Sequence, residues 1–163
     1  MITATIATYP PRINTVKKVI NRIIPQVDCL NVVFNEYNMV PQWADEIPKL
    51  RPILLDCDTK DTGKFFVKPG ADDWFFTFDD DIDYPIDYVE RTIDLMKEHD
   101  LSRTIGGYHG SIYRKPRVLP SARWLREYLR LNTNYIVSSR DTFHFKDPLQ
   151  IARYVDQLGT GTT

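Results

Sequence analysis

The sequence carries no large excess of either charge, few cysteines and no long hydrophobic run. Its 163 residues hold 21 Lys and Arg against 22 Asp and Glu, a formal net charge of -1. Without a basic excess there is no electrostatic reason to expect nucleic acid as a partner. Only two cysteines are present, Cys29 and Cys57. Their separation fits no zinc or Cys-x-x-Cys pattern, so they are expected to be buried, reduced thiols. No stretch approaches the ~20 apolar residues that span a bilayer. The N-terminal residues 1–8 lack a basic leader, and their apolar run is too short for a signal peptide. A cytoplasmic location with no transmembrane segment is expected. Internal repeats and low-complexity segments are also missing.

What is present is ordinary in amount and informative in order. A hydrophobic fraction of 42% and a charged fraction of 26% suit one globular domain over 1–163 with a real core. Residues 3–8 are short and β-branched and stop at Tyr9-Pro10-Pro11, which predicts a buried strand and a rigid loop. Val16, Val19, Ile20, Ile23 and Ile24 recur at helical spacing and end at Pro25, the pattern of an amphipathic helix. Further strands are expected at 30–34, 53–55 and 74–78, the last central because it is wholly apolar but for Thr77. An irregular or short helical stretch is expected at 40–50, and a helix at 88–98 with Val89, Ile93 and Met96 on its apolar side. In the second half, Gly106, Gly107 and Gly110 lie in a strand-like run, suggesting close approach by a ligand or a neighbouring chain. A helix at 121–131 and a strand at 135–137 follow. Alternating strands and helices predict an α/β sandwich with a mostly parallel central sheet flanked by helices, in which ligands bind off the carboxyl ends of the strands. Three polar loops follow strands and are expected to converge there: Tyr9-Pro10-Pro11-Arg12, Asn35-Glu36-Tyr37-Asn38 and Asp79-Asp80-Asp81-Ile82-Asp83.

The last of these is the strongest chemical signal. Carboxylates crowded at the end of a buried strand repel one another unless a cation neutralises them. Hard oxygen ligands suit Mg²⁺, Mn²⁺ or Ca²⁺, and Mg²⁺ takes only one or two carboxylates and leaves the rest of its shell to water and phosphate. Two other readings use the same residues. Asp79, Asp81, Asp83 and Glu90 match four positions of a calcium-binding helical hand, but Tyr84 stands where that loop needs glycine and the preceding segment reads as strand. An aspartyl-phosphatase motif lacks its further partners.

An apolar strand ending in Asp-x-Asp resembles the metal-binding signature of glycosyltransferases with the GT-A fold. The longer string resembles a group of them found in bacterial capsule loci and large algal viruses: residues 3–12, Pro25-Gln26-Val27-Asp28, Gly63-Lys64-Phe65, residues 76–82 with Tyr84-Pro85, and Leu158-Gly159-Thr160-Gly161-Thr162. The resemblance implies a GT-A-like, Rossmann-like sandwich and transfer of a sugar from a nucleoside-diphosphate sugar, a UDP-sugar, to a glycan or glycoprotein acceptor. It implies Mn²⁺ or Mg²⁺ as cofactor. Asp81 would ligate the metal, with Asp79 on the metal or nucleotide side and Asp80 supporting the site or touching the donor sugar. Thr8, Tyr9, Pro10 and Arg12 would line the nucleotide pocket, and Lys64 would face the base or diphosphate. Members of the group continue past the Gly-Thr-Gly-Thr segment, so the chain is expected to stop short on its acceptor side. For an inverting reaction a carboxylate must deprotonate the acceptor hydroxyl; Asp156 is the candidate, with His109 as a second contact to sugar. The alternatives are a nucleotide-sugar-binding module without transfer, and a sugar nucleotidyltransferase. The latter is disfavoured because the first loop contains no glycine.

Overall fold

The computed structural model describes residues 1–98, 104–113, 140–144 and 152–159. The chain divides into two compact units, Met1–Gly106 and a second from Gly107.

The first unit is an α/β layer. Strand Ile2–Thr8 (β1) is followed by a 3₁₀ turn at Pro10–Arg12 and helix Ile13–Ile23 (α1), and then by strand Cys29–Phe34 (β2). Helix Gln42–Asp45 (α2), strand Leu50–Leu54 (β3), a 3₁₀ segment Lys60–Phe65, strand Trp74–Phe78 (β4) and helix Tyr88–Glu98 (α3) complete it. The four strands are all parallel, in the order β3-β2-β1-β4. A parallel sheet with helices is the coarse architecture expected, of the Rossmann-like kind.

The alternation of side chains along each strand explains the layers. Ala4, Ile6, Leu30, Val32, Phe34, Phe76 and Phe78 share a core with Val16, Val19, Ile20 and Ile23 of α1, Ala44 of α2, and Val89 and Ile93 of α3. α1 ends where Pro25 has no amide to donate, and the chain passes into a 3₁₀ turn Ile24–Gln26. On the other face, Thr3, Thr5, Asn31 and Thr77 are buried although polar. The 3₁₀ segment lies on this second face: a Cβ placed on Gly63 would stand 3.1 Å from Val33 Cγ1 and 3.3 Å from Ala7 Cβ.

Two sequence expectations change. β3 begins at Leu50 rather than Ile53 and runs through Pro52. It is an edge strand, pairing only with β2 among the described residues, and there a proline without an N–H is tolerated. β4 is not central among the described strands, since it pairs only with β1. Its apolar run arises because Phe76 and Phe78 enter the core while Phe75 and Trp74 are half-buried. Cys29 is buried in β2 as expected, but Cys57 is exposed, in the connection after β3 where no element covers it; both thiols are free.

The second unit contains strands Gly110–Tyr113 (β5), Arg140–Phe143 (β6) and Gln157–Leu158 (β7), antiparallel in the order β6-β5-β7. Gly110 accommodates a neighbouring strand: an added Cβ would lie 3.2 Å from the Gln157 carbonyl oxygen. The expected helix at 121–131, with Trp124 and Tyr128, and the strand at 135–137 lie outside the described residues, as does His99. No described helix is long and apolar enough to cross a membrane.

Candidate functional site

The order β3-β2-β1-β4 sets the carboxyl ends of β1 and β4 side by side. From β1 the chain moves outward to β2 and β3, then returns past β1 to β4. Right-handed crossovers place these connections on opposite faces, as α1 and the Lys60–Phe65 segment are. α1 and α3, which follow β1 and β4, share one face of the sheet. Arg12 follows β1 and Asp79, Asp80 and Asp81 follow β4, so both sequence motifs stand at this reversal of strand order.

The site joins three segments by charge. Arg12 Nη1 donates to Asp80 Oδ1 at 2.5 Å and lies 3.0 Å from Asp81 Oδ2. Lys64 Nζ donates to Asp79 Oδ1 at 2.5 Å. Among the described residues three carboxylates thus meet two cations, one negative charge in excess. The carboxylate repulsion that suggested a metal is in large part cancelled by Arg12 and Lys64. The hydrogen bond to Asp80 raises the Arg12 pKa above its already high ordinary value; partial burial opposes this, and the charges of Asp80 and Asp81 add to it. The guanidinium stays charged at any working pH.

Each partner is positioned by local structure. Arg12 ends the 3₁₀ turn begun by Pro10, where the fixed φ of proline suits the first helical position. Its guanidinium carbon stands 5.5 Å from the centre of the exposed Tyr9 ring. Lys64 is only 2% exposed because Gly63 lets its segment lie flush on the sheet. That segment is tied down by Asn35, a buried residue whose amide nitrogen donates to the Lys60 carbonyl at 2.6 Å and whose oxygen accepts from the Thr59 hydroxyl at 2.7 Å. Lys60 pays for the turn with a left-handed φ of 50°. The Asp79 amide donates to the Tyr84 hydroxyl oxygen at 2.9 Å. The Tyr84 ring packs edge-on against Phe78 and Tyr88, with centroids 4.7 and 5.0 Å away. Burial pushes the Tyr84 hydroxyl well above its ordinary pKa and the neighbouring aspartates push the same way, against the hydrogen bond from the Asp79 amide. Burial and the charge of Asp80 likewise raise Tyr37.

Of the residues singled out in the sequence, Arg12, Lys64, Asp79, Asp80 and Asp81 are brought together, and Thr8, Tyr9 and Pro10 lie on the same strand end. The register pairs Ile6 with Phe78, so Thr8 and Asp80 stand the same distance along the chain beyond that pair. Thr8 Oγ1 and Asp80 Oδ2 are both buried without a hydrogen-bond partner among the described residues. Asp83 is a surface residue, 3.5 Å from Arg22 Nε. Asp156 and His109 belong to the second unit. The Asp156 carboxylate accepts the Tyr113 amide at 2.7 Å. The His109 ring stands 4.5 Å from that of His144, and its Cγ lies 2.9 Å from a Cβ built on Gly159. Asn35, Thr59 and Tyr84 were not singled out as site residues. An Asn directly after a strand was the available signal for the first; the hydroxyl contact of Tyr84 leaves no periodic mark.

Among the described residues no group of three or more His, Cys, Asp or Glu side chains is arranged to enclose a metal ion. The donor chemistry fits a different kind of site, one in which one or two carboxylates hold a hard cation and phosphate oxygens complete the shell. The unpartnered, buried Oδ2 of Asp80 and the surplus negative charge are consistent with that chemistry. The chain matches no protein-family model and no curated protein.

Proposed function

We propose that the chain is a metal-dependent glycosyltransferase domain of the GT-A kind, acting in the cytoplasm. It takes a nucleoside-diphosphate sugar, a UDP-sugar, at the adjoining carboxyl ends of β1 and β4, and passes the sugar to a hydroxyl of a glycan or glycoprotein. The observation that carries this reading is the meeting of Asp79, Asp80 and Asp81 with Arg12 and Lys64 where the strand order reverses. A cluster of hard oxygens beside two cations suits a ligand that is itself an anion bound through a cation.

In this reading Asp81, the most exposed of the three carboxylates, is the main ligand of Mn²⁺ or Mg²⁺. Asp79 contributes through the oxygen that Lys64 does not hold. Such a cation, when bound, neutralises charge that grows on the departing diphosphate. Arg12 binds the diphosphate through its planar fork, Tyr9 and Pro10 shape the nucleotide side, and Lys64 fixes the direction of Asp79.

The test is the affinity for UDP with and without Mn²⁺, followed by donor hydrolysis or transfer in the same sample. Asp81→Asn is expected to abolish the metal-dependent part of UDP binding and leave the melting temperature within a few degrees of the parent. UDP binding that ignores both metal and Asp81 would sink the assignment. A second reading is a nucleotide-sugar-binding module without transfer; in its favour, the Asp156 carboxylate, the candidate base, already accepts the Tyr113 amide. Metal-dependent binding with no turnover on any donor distinguishes it.

A further inference from the structure

The two cations of the site stand in different environments. Lys64 is 2% exposed, so its pair with Asp79 is shielded from water and does not exchange readily. The Arg12 side chain is 39% exposed and the Asp81 side chain 46%. Their contact is open to water and therefore weak and exchangeable. The other half of the Arg12 contact goes to Asp80, which is 5% exposed and carries a second, buried oxygen with no partner among the described residues. That orphan acceptor, set among charged groups, marks the place as arranged for something beyond the side chains now filling it.

We propose that Arg12 is a displaceable counter-ion: it holds Asp81 in the ligand-free protein, and a nucleotide diphosphate draws it off, so that a divalent cation gains Asp81 only in the company of the diphosphate. The inference rests on the reading of the site as a diphosphate site and adds an order of events to it. A metal ion alone must compete with a guanidinium already 3.0 Å from Asp81 Oδ2. A metal ion arriving with a diphosphate does not, because the guanidinium gains bidentate phosphate contacts in exchange. Metal and nucleotide then each strengthen the binding of the other by the same factor.

The experiment is calorimetric titration of Mn²⁺ alone, UDP alone and Mn²⁺ with saturating UDP into the parent, Arg12→Gln and Arg12→Lys, with thermal melts confirming the fold. In the parent, Mn²⁺ should bind roughly tenfold or more tighter with UDP than without, the scale of one charge-assisted contact. In Arg12→Gln, Mn²⁺ alone should bind roughly tenfold tighter than in the parent while UDP with Mn²⁺ binds more weakly. Arg12→Lys, which keeps the charge, should leave the affinity for Mn²⁺ alone near that of the parent. Unchanged or weaker binding of Mn²⁺ alone in Arg12→Gln, with metal-dependent UDP binding intact in the parent, overturns the counter-ion role and spares the functional reading. Absence of metal-dependent UDP binding in the parent overturns both. If Arg12→Gln does not fold, Arg12→Met takes its place with the same expected tightening of Mn²⁺ alone, and its failure to tighten refutes the proposal.

Discussion

Tyr84 holds the start of the acidic segment in a way that can be read from its titration. Its hydroxyl oxygen accepts the Asp79 amide, and burial raises its pKa above the ordinary value of 10.0. The folded chain therefore keeps this proton where the unfolded chain has released it. Because the native state then binds more protons, stability falls as pH rises past about 10. Tyr84→Phe should lose about 1 kcal/mol at neutral pH through the missing acceptor and should show a shallower alkaline decline than the parent. Urea midpoints measured from neutral pH to above 10 check both signs; a steeper decline in Tyr84→Phe would contradict the assignment. At this scale the charged members of the site were legible, because three successive aspartates after an apolar strand are rare without a purpose. Their partners within the chain were legible only as separate candidates. Arg12 and Lys64 lie 52 positions apart in the sequence, and nothing local links either to the aspartates.

The Lys60–Phe65 segment is the element on which the site depends most closely. It carries Lys64 across the second face of the sheet, and Gly63 sets its height. A Cβ at that position would meet Thr59 Oγ1 at 2.6 Å. That hydroxyl is bonded to Asn35 and cannot turn away without losing the contact. Gly63→Ala is expected to destabilise by about 1–3 kcal/mol through overpacking and to weaken UDP binding with it, since Lys64 moves with its segment. Urea unfolding and UDP titration on one preparation test the coupling; a neutral substitution would show that the segment is not tightly seated. Elements with a clear period were legible: α1 ends at Pro25 as expected, and α3 spans Tyr88–Glu98 as read. The start of β3 was not, because Leu50-Arg51-Pro52 carries a proline and strand pairing at an edge overrides that local signal. The 3₁₀ segment was invisible, having neither helical nor strand period.

At the scale of the molecule, the strand order sets the ends of β1 and β4 side by side, while the described part of the second unit carries three short antiparallel strands of four, four and two residues. β2 is buried along its full length, and β5, β6 and β7 are mostly half-buried or exposed. Amide exchange should divide accordingly, with β1 and β2 protected up to global unfolding and β5 to β7 exchanging earlier through local opening. Ile20→Ala, which empties a core position of α1, should cost about 2–5 kcal/mol and lower protection in β1 and β2 far more than in β5 to β7. Mass-spectrometric exchange on both proteins measures this; an equal fall in both units would show that they open together. The parallel α/β architecture was legible because alternating periods force it. The division into two units was not, since no linker composition marks residue 106.

Pro52 has a consequence outside any single molecule. It interrupts the row of amides that β3 presents to solvent, and the exposed Arg51 stands beside it. A second copy of the chain cannot extend the sheet across that border without leaving a carbonyl unanswered and a charge confined, so polymerisation through this side is discouraged. Replacing Pro52 with valine would complete the ladder, and would turn a quiet margin into a template for fibrils.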